Sequence, residues 1–252
     1  MNPILSFFDE VWRVYWADFR HLIHKFPSIM IGSLVLPLLY LFAFGYGLGN
    51  DIDMGEVDYI SFMIPGVIAL TTLSSSFSST ASKVMIQRKF YSSFDELTLC
   101  PIRTSSFIVG KSLVGVMRCL ISCTILICLG LLITKDMHVT LLLIVSILVA
   151  SFTFSFMGLL IGLIVSEQTQ LSMFTNLTVL PMTFLCGTLF SIDKMPAPVQ
   201  MILSVLPLTP VTECIRNSAL CWEYPIGSLA VVLVFCAAFF IADYYIIKTC
   251  RY

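Results

Sequence analysis

Long apolar stretches alternate with short polar stretches along this chain, and each apolar stretch is long enough to be a membrane-spanning helix. Six of them lie at about residues 28–49, 59–82, 105–133, 140–165, 171–190 and 226–247. A helix needs roughly 17–25 apolar residues to cross a bilayer, and backbone polar groups in lipid must be satisfied within helices or closed barrels. Because the stretches are continuous and do not alternate, they predict an all-α integral membrane protein, with residues 1–252 forming one transmembrane domain of six spans.

The first segment, residues 4–26, has a different pattern from the six spans. Its apolar and aromatic residues recur at helical spacing, and basic residues fall mainly between them. Trp12 and Trp16 lie beside basic residues, as side chains at membrane interfaces do. The pattern predicts an N-terminal amphipathic helix lying along the membrane surface, and the alternative is an ordinary packed first helix.

Residues 191–224, between the fifth and sixth predicted spans, are half apolar and are broken by four prolines, Pro196, Pro198, Pro207 and Pro210. The segment is too broken to span a bilayer and too apolar to be a free loop. Broken helices are tolerated at membrane depth where protein buries their backbone. We therefore predict a re-entrant helical hairpin.

The distribution of charge predicts the orientation. Of the fourteen basic residues, only Lys135, Lys194 and Arg216 fall on the side opposite the two termini. Since Lys and Arg accumulate on the cytoplasmic side of membrane proteins, both termini and the polar segment 83–104 are predicted to be cytoplasmic. The hairpin at 191–224 is then extracytoplasmic.

Composition excludes a soluble protein. The chain is 58% hydrophobic and 12% charged, with a mean hydropathy of +0.96, whereas soluble domains contain about 25% charged residues. We expect no nucleic-acid partner. The nine cysteines show no metal-binding spacing, so we predict no metal site and interpret them as small buried apolar residues; for Cys214 and Cys221 a disulfide is the alternative.

The polar segment 83–104 contains the signals of a short helix. Ser93 and Glu96 have the spacing of a capping box, in which each side chain bonds the backbone of the other residue. Pro101 ends the helix, because the residue before a proline is pushed away from helical angles. Phe94 and Leu97 would be its apolar contacts. The alternative is a solvated connecting loop.

Two ordered blocks of sequence resemble one known family. YISFMIPGVIAL followed by FDELTLCPIRTSSFIVGKSLVGVMR is similar to the second span, cytoplasmic helix and third span of ABC-2 type transporter permeases. LPMTFLCGTLFSIDKMPAPVQMILSVLPLTPVTECIR resembles the late signature of the same family. The chain departs from the family at Leu206-Pro207, where Asn-Pro is common; an Asn side chain would help to close the turn before Glu213, and Leu206 does not supply one.

The resemblance implies the transmembrane subunit of an ABC exporter in the cell membrane, surrounded by lipid. It implies a homodimer, with a heterodimer as the alternative, that works with ABC ATPase subunits. The chain has no GxxxxGK[ST] phosphate loop, so it is not expected to be an enzyme or to bind a cofactor directly; ATP and Mg would act through the partner. On the resemblance, the residues that dock into the ATPase are Ser93, Phe94, Asp95, Glu96, Leu97, Leu99 and Pro101.

Charged residues within apolar stretches are costly and point to function. Arg118 either extends to the cytoplasmic interface or acts at a gate or on a substrate headgroup. Asp243 is expected to be solvated or paired with Lys248. Glu213 and Arg216 are spaced to pair on one helix face, which would brace the hairpin or contact an anionic substrate. The pathway or gate candidates are Arg118, Glu213, Arg216, Pro181 and Gly187.

The function predicted from the sequence is export of an amphipathic or lipid-linked substrate, such as a glycolipid or polysaccharide, a lipid or a hydrophobic drug. One alternative, a lipid-modifying membrane enzyme, would need a cluster of histidines and carboxylates, and the chain has only three histidines. The other, an ion-coupled transporter or channel, would need several buried carboxylates or a filter. The apolar spans supply almost none.

Overall fold

The computed structural model describes residues 3–24, 26–46, 59–89, 102–134, 137–188, 200, 203 and 205–250. Within these ranges the chain forms eight α-helices and no strand. They are α1 (Pro3–His24), α2 (Phe26–Tyr40), α3 (Tyr59–Lys89), α4 (Thr104–Ile133), α5 (Leu141–Ile164), α6 (Gln168–Leu185), α7 (Leu208–Ala219) and α8 (Ile226–Cys250). A π-helical segment, Leu41–Tyr46, follows α2.

Helix α3 lies at the centre of the bundle and is buried along most of its length. It packs against α4, α5, α6 and α7. Side chains of α3 such as Met63, Ile68 and Phe77 form the main apolar cluster with residues of the surrounding helices. From Phe62 to Leu70, α3 is apolar on all sides, as is expected of a helix in such a position.

The hydroxyl-rich stretch of α3 faces its neighbours at close range. Ser76 and Thr80 are buried, and a Cβ atom on Gly115 of α4 would lie 2.2 Å from Thr80 Oγ1 and 2.6 Å from Ser155 Oγ. Small residues allow helices in a membrane to approach closely. Ser76 and Thr80 therefore lie inside the helix contact.

Four helices are long and apolar enough to cross a membrane, namely α3, α4, α5 and the Ile226–Thr249 part of α8. They match the spans predicted at 59–82, 105–133, 140–165 and 226–247, and the all-α prediction is confirmed for the described residues. The spans predicted at 28–49 and 171–190 coincide with α2 and α6, which have 15 and 18 residues. The count of six spans stays a prediction.

Helix α7 is the part of the predicted hairpin that the structure describes. It has 12 residues and packs against α3, α5 and α8. Leu208, Val211 and Ile215 of α7 are at most 1% exposed and belong to the main apolar cluster. The first part of the segment, residues 191–199, lies outside the described residues.

Candidate functional site at the junction of three helices

Helix α1 docks onto the start of α4 at a glycine. A Cβ atom on Gly110 would lie 2.8 Å from Val14 Cβ and 3.2 Å from the backbone oxygen of Val11. Only glycine permits this separation between the helices. A neighbouring face of α1 exposes a stripe of large aromatic residues at intervals of four, Phe8, Trp12 and Trp16.

Asp18 lies on the docked face of α1, in phase with Val11 and Val14, and is the centre of a polar cluster. Lys111 Nζ donates hydrogen bonds to Asp18 Oδ2 at 2.9 Å and to Gln87 Oε1 at 2.6 Å. Gln87 Nε2 donates to Asp18 Oδ1 at 2.7 Å. Lys83 Nζ donates to the Asp18 backbone oxygen at 2.8 Å and lies 3.4 Å from Oδ1. We call Asp18, Lys83, Gln87 and Lys111 the junction cluster, because they join α1, α3 and α4.

The junction cluster is largely withdrawn from solvent. Asp18 and Lys111 are each 4% exposed, and Lys111 Nζ also lies 5.7 Å from the centre of the Phe107 ring. Burial by itself raises the pKa of the Asp18 carboxyl, but the charges of Lys111 and Lys83 and the hydrogen bonds from Lys111 and Gln87 outweigh it, so the pKa is lowered. Asp18 is therefore a carboxylate held by two ammonium groups.

Two further contacts strengthen the same end of the bundle. The backbone nitrogen of Arg103, just before α4, donates to Glu10 Oε2 of α1 at 3.3 Å. Arg88, near the end of α3, donates to the backbone oxygen of Leu163 in the last turn of α5. Polar contacts thus link α1 to the end of α3 and the start of α4, and link the end of α3 to the end of α5.

The predicted docking residues, Ser93 to Leu99 and Pro101, lie outside the described residues. The structure describes what flanks them. Lys83 and Gln87 lie in the last two turns of α3, and Lys111 lies two turns after the start of α4. The junction cluster therefore fixes both ends of the connection that contains the predicted docking helix.

Arg118 lies two turns beyond Lys111 on α4. Its side chain is partly buried, and Nε has no hydrogen-bond partner among the described residues. Both interpretations of Arg118 made from the sequence stay open as predictions.

At the far end of the bundle, Arg216 of α7 connects α7, α3 and the end of α6. Its guanidinium group lies 3.7 Å from the centre of the Phe62 ring. It donates hydrogen bonds to the backbone oxygens of Gly187 at 2.8 Å and Thr188 at 3.3 Å. Gly187 has a φ of 68°, which favours glycine. Arg216 therefore braces the turn after α6.

The predicted pairing of Glu213 with Arg216 is wrong. Arg216 is buried, whereas Glu213 is exposed and its Oε2 accepts a hydrogen bond from Ser228 Oγ at 2.6 Å. Residues three apart on a helix differ by about 60° in direction, and here that difference directs one side chain to α3 and the other to α8.

The prediction for Asp243 is also wrong. Asp243 is fully buried, and neither carboxyl oxygen has a hydrogen-bond partner among the described residues. Lys248 is exposed and forms no ion pair with it. Five residues along a helix correspond to about 500°, which places the two side chains on different faces.

Pro181 is exposed on α6 and lines a shallow apolar groove on that helix. The other lining residues are Met173, Asn176, Leu177, Leu180 and Phe184. Gly187 does not line this groove; it lies beyond the end of α6, in the turn that Arg216 braces.

The described cysteines are free, including Cys214 and Cys221. Burial raises the pKa of the Cys214 thiol to about 11, so this thiol stays protonated and unreactive. No group of three His, Cys, Asp or Glu side chains in the described ranges could hold a metal ion.

The sequence interpretation missed the junction cluster. A signal was available, because Asp18 follows Val11 and Val14 at helical spacing on the apolar face of an amphipathic helix. A carboxylate at such a position needs a buried cation. Which cation it would meet depends on how α1 packs, and the sequence alone does not contain that information.

Comparison with known proteins assigns the chain to a family. Residues 9–220 match the family model of the ABC-2 type transporter. The inner membrane transport permease YadH of Escherichia coli strain K12 is 25% identical over 251 residues, covering 95% of this chain and 98% of the relative. Nodulation protein J of Rhizobium leguminosarum bv. viciae is 22% identical, covering 83% and 82%. The daunorubicin resistance ABC transporter permease protein DrrB1 of Streptomyces coeruleorubidus is 24% identical, covering 85% and 76%. The resemblance seen in the sequence is confirmed, and the chain belongs to the ABC-2 type transporter family as a membrane-embedded transport subunit.

Proposed function

We propose that this chain is the permease subunit of an ATP-driven exporter that moves an amphipathic or lipid-linked molecule out of the cytoplasm or the inner leaflet. The observation that carries the proposal is the family match over residues 9–220. Relatives that cover most of the chain carry the names inner membrane transport permease and daunorubicin resistance permease. These names favour an inner-membrane location and outward transport of molecules with an apolar part.

In this proposal ATP is bound and hydrolysed, with Mg, by a separate ABC ATPase subunit. The connection between α3 and α4 is the docking element, and Phe94 to Leu99 contact the ATPase. The junction cluster supports this role, because it joins the end of α3 to the first turns of α4. A displacement of the connection by the ATPase would therefore move both helices together. If the two helix ends were not joined, the connection could move without displacing the helices.

The proposed topology has six spans with both termini in the cytoplasm. Helices α2 and α6 are the two further spans beside α3, α4, α5 and α8. The buried short helix α7 belongs to an extracytoplasmic re-entrant hairpin. The basic residues of the junction cluster then lie on the cytoplasmic side, as the positive-inside rule expects.

The proposed assembly is a homodimer. Helices α2 and α6 expose large apolar side chains, among them Leu36, Leu39, Met173 and Leu177. Asn176 is exposed in the middle of the α6 face, and an amide in lipid gains from a partner on another helix. These observations support an interface through α6, with the pathway candidates Pro181 and Gly187 on or near it.

The test uses the predicted docking helix. We expect Glu96→Lys to abolish co-purification of the ATPase from native membranes and to abolish ATP hydrolysis that depends on this chain. Glu167→Lys is the matched control, because Glu167 is an exposed carboxylate in the short link before α6 and is predicted on the same side of the membrane. Full ATPase association and activity with Glu96→Lys, while the protein is inserted normally, would contradict the docking assignment.

A further inference from the structure

The junction cluster contains an uneven number of charges. Two ammonium groups, Lys83 and Lys111, share the single carboxylate of Asp18. Each lysine comes from a different helix, and Asp18 also offers its backbone oxygen to Lys83. Asp18 is thus the only carboxylate among the described residues that bonds side chains of both α3 and α4.

The burial of these groups makes the cluster a firm connection. An exposed ion pair contributes about 0–1 kcal/mol, whereas removing one member of a buried pair leaves an uncompensated charge and is strongly destabilising. Asp18 and Lys111 are 4% exposed, and the side chain of Lys83 is 21% exposed. Helix α1 therefore cannot separate from α3 and α4 without leaving buried charges unpaired.

Close packing at Gly110 complements the ion pairs of the junction cluster. Gly110 receives Val14 of α1 at a distance that admits no side chain, and Lys111 is the next residue. These adjacent residues of α4 act at one place, since Gly110 leaves room for α1 and Lys111 donates a hydrogen bond to the Asp18 carboxylate of α1. Close packing resists compression, and the ion pairs resist separation.

We propose that Asp18 is a positioning residue for transport, which makes α1 move as one body with both ends of the connection between α3 and α4. The inference rests on the proposed function, in which that connection receives the movement of the ATPase. In this role Asp18 acts through α1, α3 and α4, to which it is bonded. It acts by converting a displacement of the connection into a displacement of the membrane-surface helix.

The experiment measures hydrogen exchange by mass spectrometry in the complex of this chain with its ATPase in lipid nanodiscs, with and without ATP plus vanadate. In the wild type we expect exchange in α1 and in the first turns of α4 to change together. In Asp18→Asn we expect the nucleotide-dependent change in hydrogen exchange to persist in α4. In α1 this change should be smaller by about 2- to 30-fold, which is the usual range of coupling effects. Asp18→Glu should restore the joint response.

Matched variants separate positioning from stability. Asp9→Asn removes the exposed ion pair with Arg13 on the same helix and should behave as the wild type. Lys83→Gln leaves Asp18 and Lys111 as a balanced pair, so α1 should still follow α4 while exchange at the end of α3 rises. This variant also tests the inference if Asp18→Asn does not fold, because unchanged exchange at the end of α3 would refute it.

The two proposals fail in different ways. If the wild-type complex shows no nucleotide-dependent change in any helix of this chain, the proposed function is wrong. If the wild type shows the joint change and Asp18→Asn shows the same joint change, the function stands and the positioning role is refuted.

Discussion

A Cβ atom on Gly158 would lie 2.5 Å from the backbone oxygen of Phe77, and one on Gly162 would lie 2.7 Å from that of Ala81. The two glycines are one turn apart on α5, and the two carbonyls are one turn apart on α3. The central helices therefore touch backbone to backbone along a line. Between membrane helices, such packing is a main source of association.

We expect Gly158→Ala to lower the free energy of unfolding by about 1–3 kcal/mol, the usual effect of overpacking. Gly227→Ala is the control, since a Cβ atom there has no neighbour within 4 Å and alanine favours a helix by about 1 kcal/mol. Thermal unfolding in detergent, followed by circular dichroism, measures both. Equal melting temperatures for the two variants would refute the close contact.

Arg216→Lys tests the brace at the turn after α6. Lysine keeps the charge but lacks the planar group that stacks on Phe62 while it donates to Gly187 and Thr188. We expect a loss of about 2–4 kcal/mol in unfolding free energy. Glu213→Gln, which alters only the exposed contact with Ser228, should change it by less than about 1 kcal/mol. The same thermal assay compares Arg216→Lys with Glu213→Gln. Similar losses of stability in the two variants would argue against a bracing role for Arg216.

Asp243→Leu is expected to stabilise the protein. A buried polar group without a partner costs about 1–3 kcal/mol, and leucine, which has the same branched side-chain skeleton without polar atoms, removes that cost. The measurement is the unfolding midpoint in detergent, with Asp243→Asn as the control that keeps a polar group. Destabilisation by leucine would mean that the carboxyl has a partner in the membrane.

Cys221→Gly is also expected to stabilise the protein, because a side chain in the left-handed region costs about 1–2 kcal/mol and the greater conformational entropy of glycine offsets only about 0.5–1 kcal/mol of that gain. Cys221 follows the end of α7 with a φ of 55°, a position where helices commonly end in glycine. Cys221→Ala retains the strained backbone and should give no gain. If alanine and glycine shift the melting temperature equally, strain is not the cause.

The stability of the junction should fall in acid. The pKa of Asp18 is lowered below its ordinary value of 3.8, so the folded state holds the carboxylate more strongly than the unfolded state does. This contribution is complete above about pH 4–5 and is lost as the pH falls through the lowered pKa. Melting temperatures measured from pH 7 down to about pH 2 should therefore fall more steeply for the wild type than for Asp18→Asn. Parallel curves would exclude Asp18 as a source of acid sensitivity.

Much of the fold could be predicted from local sequence. A membrane helix is surrounded by apolar lipid, so the position and length of an apolar run predict where a span begins and ends. The runs at 59–82 and 226–247 became α3 and α8 for this reason. The side chains that charged residues contact were predicted less well. Glu213 and Arg216 have the spacing of a pair but point to different helices. Asp243 was expected to meet water or Lys248, but it is fully buried and its carboxyl oxygens have no hydrogen-bond partner among the described residues.

The helical class, the apolar lengths of the helices and the family follow from the order of the residues along the chain. Which polar groups meet depends instead on how the helices pack. Asp18 is separated from Lys83 and Lys111 by 65 and 93 residues, and their contact exists only because Gly110 and Val14 bring α1 against α4 while α3 lies beside both. Apolar patterning acts within one helix, whereas ion pairing needs distances of a few ångströms between helices, and packing sets those distances.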